Sequence, residues 1–284
     1  MKRIRDLYEE GVAAIATISP APEADVKRLL LHFCQVTALD LIIDKDKMLS
    51  DEAVEAYEKA LAKRVAGDPV QYITNEETFM GLSFYVDARV LIPRDETELL
   101  VERVLMLLKE RQSGSLVMDI GVGSGAICLS VAKLGQVGRV YGIDISKDAL
   151  DVARHNAKQL EVEESVTFIE SDLFTAVPKD ILGSLDILIS NPPYIPPEEM
   201  EVLHEDVKRE PSLALYGGED GLKFYRAITE AGWDYLKPDG ILVYEVGHDQ
   251  GERVGALMLD RGFRHVEYIE DYQGFKRVVI GYKL

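Results

Sequence analysis

Beyond about residue 115 the chain alternates short apolar runs with amphipathic stretches, and that alternation leaves very few architectures open to it. Strand-like runs read at Leu116–Ile120, Val140–Ile145, Val166–Glu170, Leu185–Ile189, Ile241–Val246 and Val278–Tyr282. Helical periodicity reads near Ala126–Leu134, Lys147–Gln159, Leu222–Leu236 and Gly251–Arg261. Strands separated by helices cannot pair as tight hairpins. Each is carried back across the sheet, so neighbouring strands run parallel and helices cover both faces. The expectation is an α/β fold with a mostly parallel sheet, and ligands beyond the C-terminal ends of its strands.

The first 75 residues read differently. Ile4, Leu7, Val12 and Ile15 form one helical stripe, Val26, Leu29, Leu30 and Phe33 a second, and Val54, Tyr57, Leu61 and Val65 a third. Pro20 and Pro22 separate the first two, Ser50 is placed to cap the third, and Gly67-Asp68-Pro69 ends it. Thr78–Val86 and Val90–Ile92 then read as a β-hairpin, followed by a helix from about Glu96 to Lys109. The expected organisation is a helical domain over 1–75, a hairpin linker over 76–94 and an α/β domain over 95–284.

Composition narrows the function classes. A net charge of −18, spread along the chain, disfavours a protein that tracks nucleic-acid phosphates, which needs clustered Lys and Arg. No apolar stretch approaches the roughly 20 residues needed to cross a bilayer. The first ten residues carry early acids and no apolar signal core. Cys34 and Cys128, the two cysteines, are too few for a disulfide framework or a thiolate metal site. These features lead us to expect a cytoplasmic protein, monomeric by default, with no metal, no membrane contact and no direct nucleic-acid contact. The adjacent His248 and Asp249 fall far short of a ligand set.

The chemistry is carried at the strand ends. After the first strand comes Asp119-Ile120-Gly121-Val122-Gly123-Ser124-Gly125. Its glycines allow a tight turn and close approach of a ligand, but the spacing differs from Gly-x-Gly-x-x-Gly, and the preceding Asp119 suits a cationic group better than a phosphate. Asp144 ends the second strand about 20 residues on, where a carboxylate can accept from ribose hydroxyls. Asp172 and Leu173 follow the third, a polar and an apolar group able to hold a purine. Each acid alone reads equally well as a solvated strand end or helix cap. All three in order fit a nucleoside joined to an amino acid, S-adenosylmethionine.

The fourth strand runs into Asn191-Pro192-Pro193-Tyr194. Two prolines stop the strand and stiffen the backbone, and Pro192 holds Asn191 extended. The Asn191 side-chain oxygen and the Pro192 carbonyl, aimed together, can accept both hydrogens of one NH2 group, with Tyr194 against its plane. Such a group is a nucleobase amine or a side-chain amide; the tetrapeptide alone does not choose.

Together these segments resemble the Rossmann-like class I S-adenosylmethionine-dependent methyltransferases, and within them the HemK-type glutamine methyltransferases that modify peptide chain release factors. Leu91–Glu98, Glu210–Gly221, Glu245-Val246-Gly247 with Gln250-Gly251, and Asp271 with Arg277-Val278-Val279 carry the narrower likeness, which spans essentially the whole chain. The resemblance implies methyl transfer to the glutamine of the Gly-Gly-Gln motif of class I release factors. It implies that Gly121, Val122, Gly123, Ser124 and Gly125, with Asp119, meet the methionine part of the cofactor. Asp144 then meets the ribose, Asp172 and Leu173 the adenine, with Asn191 also touching the cofactor; Asn191, Pro192, Pro193 and Tyr194 hold the substrate. The rival readings are an amino-methyltransferase acting on adenine or cytosine and a non-catalytic cofactor-binding module docking on translation factors. Asp95 stands where the family commonly has proline, Asn75 where it frequently has glycine and Leu173 where some members carry tryptophan; Asp95 is expected to loosen its loop.

Overall fold

In the computed structural model, residues 1–111 and 114–284 are described, and they fall into two compact units. The first comprises Met1–Glu76 together with His204–Arg209, the second Glu77–Leu203 and Glu210–Leu284.

The first unit holds five helices before residue 76: α1 Ile4–Ile15, α2 Pro22–Cys34, α3 Asp40–Ile43, α4 Asp51–Val65 and α5 Val70–Thr74. Ile4, Leu7, Ile15, Val26, Leu29, Leu30, Val54 and Tyr57 pack into one core, so the expected stripes do face inward. Ser50 caps α4 by accepting the Ala53 N–H at 3.2 Å, a contact that contributes about 1 kcal/mol. The third stripe needs correction at its end. Val65 is 45% exposed, whereas Arg64 is buried. Spacing from Val54, Tyr57 and Leu61 in fact reaches position 64, and the cation there is tolerated because two carboxylates meet it. Its Nε donates to Asp25 at 2.7 Å, and Nη1 and Nη2 donate to the two oxygens of Asp206 at 2.9 and 2.8 Å.

The second unit opens with a hairpin of β1 Glu77–Phe79 and β2 Leu82–Phe84. Met80 and Gly81 turn between them with φ of 52° and 71°, the left-handed pair that a two-residue hairpin requires. The expected second strand at Val90–Ile92 does not form. Val90 and Ile92 are buried, but the Ile92 N–H donates to the Glu210 carboxylate at 3.0 Å, and Pro93 follows. Arg94 pairs with the same Glu210. Asp95 begins helix α6, Asp95–Lys109, as one of three acids in a first turn whose free N–H groups favour negative charge.

There follow β3 Ser115–Ile120, α7 Ala126–Leu134, β4 Val137–Asp144, α8 Lys147–Gln159, β5 Val166–Glu170, β6 Leu185–Ser190, α9 Pro197–Val202 and α10 Glu205–Lys208, the last within the first unit. The chain closes with α11 Lys223–Tyr235, β7 Leu236–Glu245, α12 Gly251–Arg261, β8 Arg264–Glu270 and β9 Lys276–Tyr282. The seven-stranded sheet runs β5-β4-β3-β6-β7-β9-β8. Its first five strands are parallel and β9 is antiparallel to both neighbours. Alternate residues supply its two faces. Val117, Ile187, Ile189 and Val243 pack with α6, α7 and α8, while Met118, Leu188, Leu242 and Tyr244 pack with α11 and α12. Strand β8 escaped the sequence reading because its charged residues suit an edge, where negative charge and Arg discourage further pairing, and offer no apolar run.

Candidate active site

The site is built where β3 and β6 lie side by side and the chain has departed outward in both directions. Ile120 pairs with Ser190, so Gly121 and Asn191 leave the sheet as neighbours. The buried Ser190 hydroxyl donates to the Ile120 carbonyl at 2.6 Å and fastens the two strand ends together.

A cavity of about 270 Å³ opens over these ends. Gly121 and Gly123 line it, as do Asp144, Asp172 and Leu173 and the run Asn191, Pro192 and Pro193. Asp119, Val122, Ser124, Gly125 and Tyr194 lie outside its lining. Gly121, Gly123 and Gly125 have φ of 85°, 56° and 87°, a region costly for any side chain. A Cβ on Gly123 would meet nothing within 4 Å, and one on Gly121 only the Asn191 carbonyl oxygen at 3.9 Å. The turn therefore presents bare backbone to the cavity.

Asp144 does two things at once. Its Oδ2 accepts the Gly123 N–H and its Oδ1 the Ser146 N–H, each at 2.9 Å. Those bonds pin the glycine turn and leave one lone pair on each oxygen for a ligand hydroxyl. Burial raises its pKa, against the pull of the Gly123 and Ser146 amides. Leu173 has φ of 49°, a strained value for a branched side chain, and lends the cavity an aliphatic surface.

Behind the turn, Asp119 is fully buried and neither oxygen has a partner among the described residues. Burial pushes its carboxyl up to about 7, with the Asp144 charge adding to the effect. Asn156 went unnoticed in the sequence. Its Nδ2 donates to the Ser124 carbonyl at 2.8 Å and to the Tyr85 carbonyl at 3.0 Å, and its Oδ1 accepts the Tyr85 N–H at 2.8 Å. The signal was available: an Asn at an apolar-stripe position of α8, beside Ala153 and Ala157.

The tetrapeptide is held from two sides. Asn191 Nδ2 donates to Thr97 Oγ1 at 3.3 Å, which leaves Oδ1 for another partner. Gln250 donates to the Tyr194 carbonyl at 2.9 Å. The Ile195 N–H donates to Leu215 and the Gly217 N–H to Ile195, both at 2.9 Å, so Glu210–Gly221 is laced to the tetrapeptide's exit. A Cβ on Gly217 would stand 2.5 Å from the Tyr194 Cα, so only glycine permits that approach. Burial, chiefly, holds the Tyr194 phenol up at about 12, neutral at physiological pH.

The bare turn, the orphaned acid behind it and the pinned carboxylate at the next strand end fit an amino-acid nucleoside, and the sheet order is that of the class I methyltransferases. The chain is thus a methyltransferase with S-adenosylmethionine as methyl donor. Residues 111–250 match a methyltransferase domain family and residues 6–74 the PrmC N-terminal domain family. A release factor glutamine methyltransferase of Moorella thermoacetica is 40% identical over 96% of this chain and 94% of its own length. One of Bacillus cereus is 40% identical over 88% and 89%. The fold recurs in a Pyrococcus furiosus methyltransferase, with a TM-score of 0.53 at 18% identity, covering 72% of this chain and 90% of that one. The chain belongs to the release factor glutamine methyltransferase family.

Proposed function

We propose that this enzyme methylates the side-chain nitrogen of the glutamine in the Gly-Gly-Gln motif of a class I peptide chain release factor, with Asn191–Tyr194 holding that amide. The observation that carries the reading is one cavity lined both by the glycine turn and Asp144 and by Asn191, Pro192 and Pro193. S-adenosylmethionine, bound there, supplies a methyl group on a positively charged sulfur.

The residues of the chain do the rest. Gly121–Gly125 and Asp119 hold the amino-acid end, Asp144 the ribose, and Asp172 and Leu173 the base. Asn191 Oδ1 and the Pro192 carbonyl take the two amide hydrogens, which fixes the plane of a weak nucleophile and faces negative dipoles toward the positive charge developing on nitrogen. Fixing that geometry alone contributes on the order of 7–11 kcal/mol to such transfers. The Pro192-Pro193 backbone keeps its carbonyls from relaxing away.

Release factors work in translation, so the cytoplasm is the proposed compartment. Among the described residues both cysteines are unpaired, and no helix is long and apolar enough to cross a membrane. We take one copy as the working state and assign no nucleic-acid contact, given the acidic balance.

Incubation with S-adenosylmethionine and a purified release factor, followed by peptide mass mapping, is expected to add one methyl to the Gly-Gly-Gln glutamine. Label on nucleic acid, or on any other residue type, overturns the assignment. Asp144→Ala is expected to weaken S-adenosylmethionine binding about 10–100-fold, the effect of losing hydrogen bonds to a charged group. Asp144→Asn, which keeps one acceptor, should lose less. Calorimetry with both variants checks this; unchanged affinity in the alanine variant removes Asp144 from the site.

A further inference from the structure

An asparagine amide is nearly symmetric in shape, so something must decide which end faces the substrate. Thr97 cannot decide it, because a hydroxyl both donates and accepts. The deciding group stands on the next strand. β6 and β7 pair Ser190 with Tyr244, which sets Asn191 and Glu245 side by side at adjacent strand ends. Glu245 is 2% exposed, and its Oε2 has no partner among the described residues. Among uncharged side chains, Thr97 and Asn191 favour its charged form. Its own backbone is held, since the Tyr225 hydroxyl donates to the Glu245 carbonyl at 2.9 Å.

Resting on the reading that Asn191 Oδ1 receives the substrate amide, we propose that Glu245 is the positioning residue that keeps the Asn191 amide turned with its NH2 inward and its oxygen toward the cavity. An ionised carboxylate only accepts hydrogen bonds, so it accommodates the NH2 end and repels the oxygen end. A protonated Glu245 gains a donor. The flipped Asn191 then becomes as comfortable as the productive one, and its NH2 faces the substrate NH2 with no acceptor between them.

The protonation of Glu245 therefore gates the orientation. Burial raises its pKa to about 7, the Thr97 hydroxyl lowers it, and so does the cationic Arg277 on β9, while Glu96 on α6 raises it. The other ionisable groups facing it are Tyr194 in the tetrapeptide loop and Tyr225 on α11; burial raises both phenols above their usual range, so both are neutral. The ionised, productive form is gained as pH rises through the carboxyl's own pKa.

The test is the single-turnover methyl-transfer rate of the full chain at saturating S-adenosylmethionine and release factor, from about pH 6 to pH 9. The wild-type rate is expected to fall below about pH 7 to a plateau about two- to tenfold lower, near the rate of the neutral Glu245→Gln variant, because an uncharged Glu245 still leaves Asn191 productively turned part of the time. Glu245→Gln retains an acceptor and cannot ionise. It is expected to stay within about tenfold of wild type at pH 8 and to lose the acid limb. Glu245→Leu offers Asn191 nothing and is expected to lose roughly 10–100-fold at every pH, with S-adenosylmethionine affinity unchanged. Asp119, also pushed up to about 7, acts on cofactor affinity and leaves the saturated rate alone. An acid limb that persists in Glu245→Gln, or a wild-type rate in Glu245→Leu, overturns the proposal. Asn191→Ala, assayed alongside, separates the two levels. If that variant retains the rate, the reading of Asn191 fails; if it loses the rate while Glu245→Leu does not, only the role of Glu245 fails.

Discussion

Replacing Asn191 with alanine is expected to lower kcat by about 10²–10³-fold, the range seen when one group aimed at developing charge is removed from an active site. Two of the features on which a methyl transfer depends disappear together. The substrate nitrogen loses one of its two acceptors, and its plane loses a reference point, so fewer bound molecules present the lone pair in line. Cofactor affinity should stay within about twofold, because the glycine turn and Asp144, joined by the Gly123 N–H donating to Asp144 at 2.9 Å, do not depend on the Asn191 side chain. Asn191→Asp sharpens the test. It keeps an oxygen toward the cavity but loses the NH2 that donates to Thr97 at 3.3 Å, and it sets a second carboxylate beside the buried Glu245. Like charges at close range disfavour the ionised pair. The aspartate variant is therefore expected to be as slow as the alanine one. Methyl incorporation at saturating substrates, with calorimetry for the cofactor, measures both parts. A near wild-type rate in Asn191→Ala refutes the two-acceptor site.

Much of this site was legible because its parts sit at strand ends, and strand ends are local. The run Leu185–Ser190 is buried along its whole length, as a strand covered on both faces should be, so its apolar pattern and the prolines after it located Asn191 directly. The glycine turn and Asp144 follow the same logic. What stayed hidden was which residues, far apart in sequence, meet at Asn191. Thr97 reaches Asn191 over 94 residues, and Glu245 reaches it only through the pairing of β6 with β7. No periodicity encodes a register between strands more than fifty residues apart. The hairpin was misjudged for a related reason: Val90 and Ile92 are apolar and buried, as strand residues are, but Glu210, more than a hundred residues away, takes the Ile92 N–H. Arg64 failed differently. Its position was periodic, and only its charge hid it.

That buried arginine gives the largest expected effect on stability. Arg64 is 1% exposed, while the side chains of Asp25 and Asp206 are 13% and 22% exposed, so all three charges are largely withdrawn from water. Withdrawing them is tolerable because the guanidinium satisfies both carboxylates at once, through Nε on one side and a two-pronged contact on the other. Asp25 is further tied by the Ser19 hydroxyl at 2.7 Å. Arg64→Met fills a similar volume but leaves two carboxylates facing each other without a cation. The first unit is then expected to lose about 3–5 kcal/mol, nearer the lower figure because Asp206 retains some access to water. Arg64→Lys should fall between, since a single ammonium cannot span both partners. The triple change Arg64→Met, Asp25→Asn and Asp206→Asn should recover most of the loss, because the penalty lies in the unpaired charge and not in the absence of the bridge. Hydrogen exchange at the α2 and α4 amides, with urea unfolding followed by circular dichroism, reads the first unit apart from the second. A loss below about 1 kcal/mol in Arg64→Met, the size of an exposed ion pair, refutes the buried-charge account.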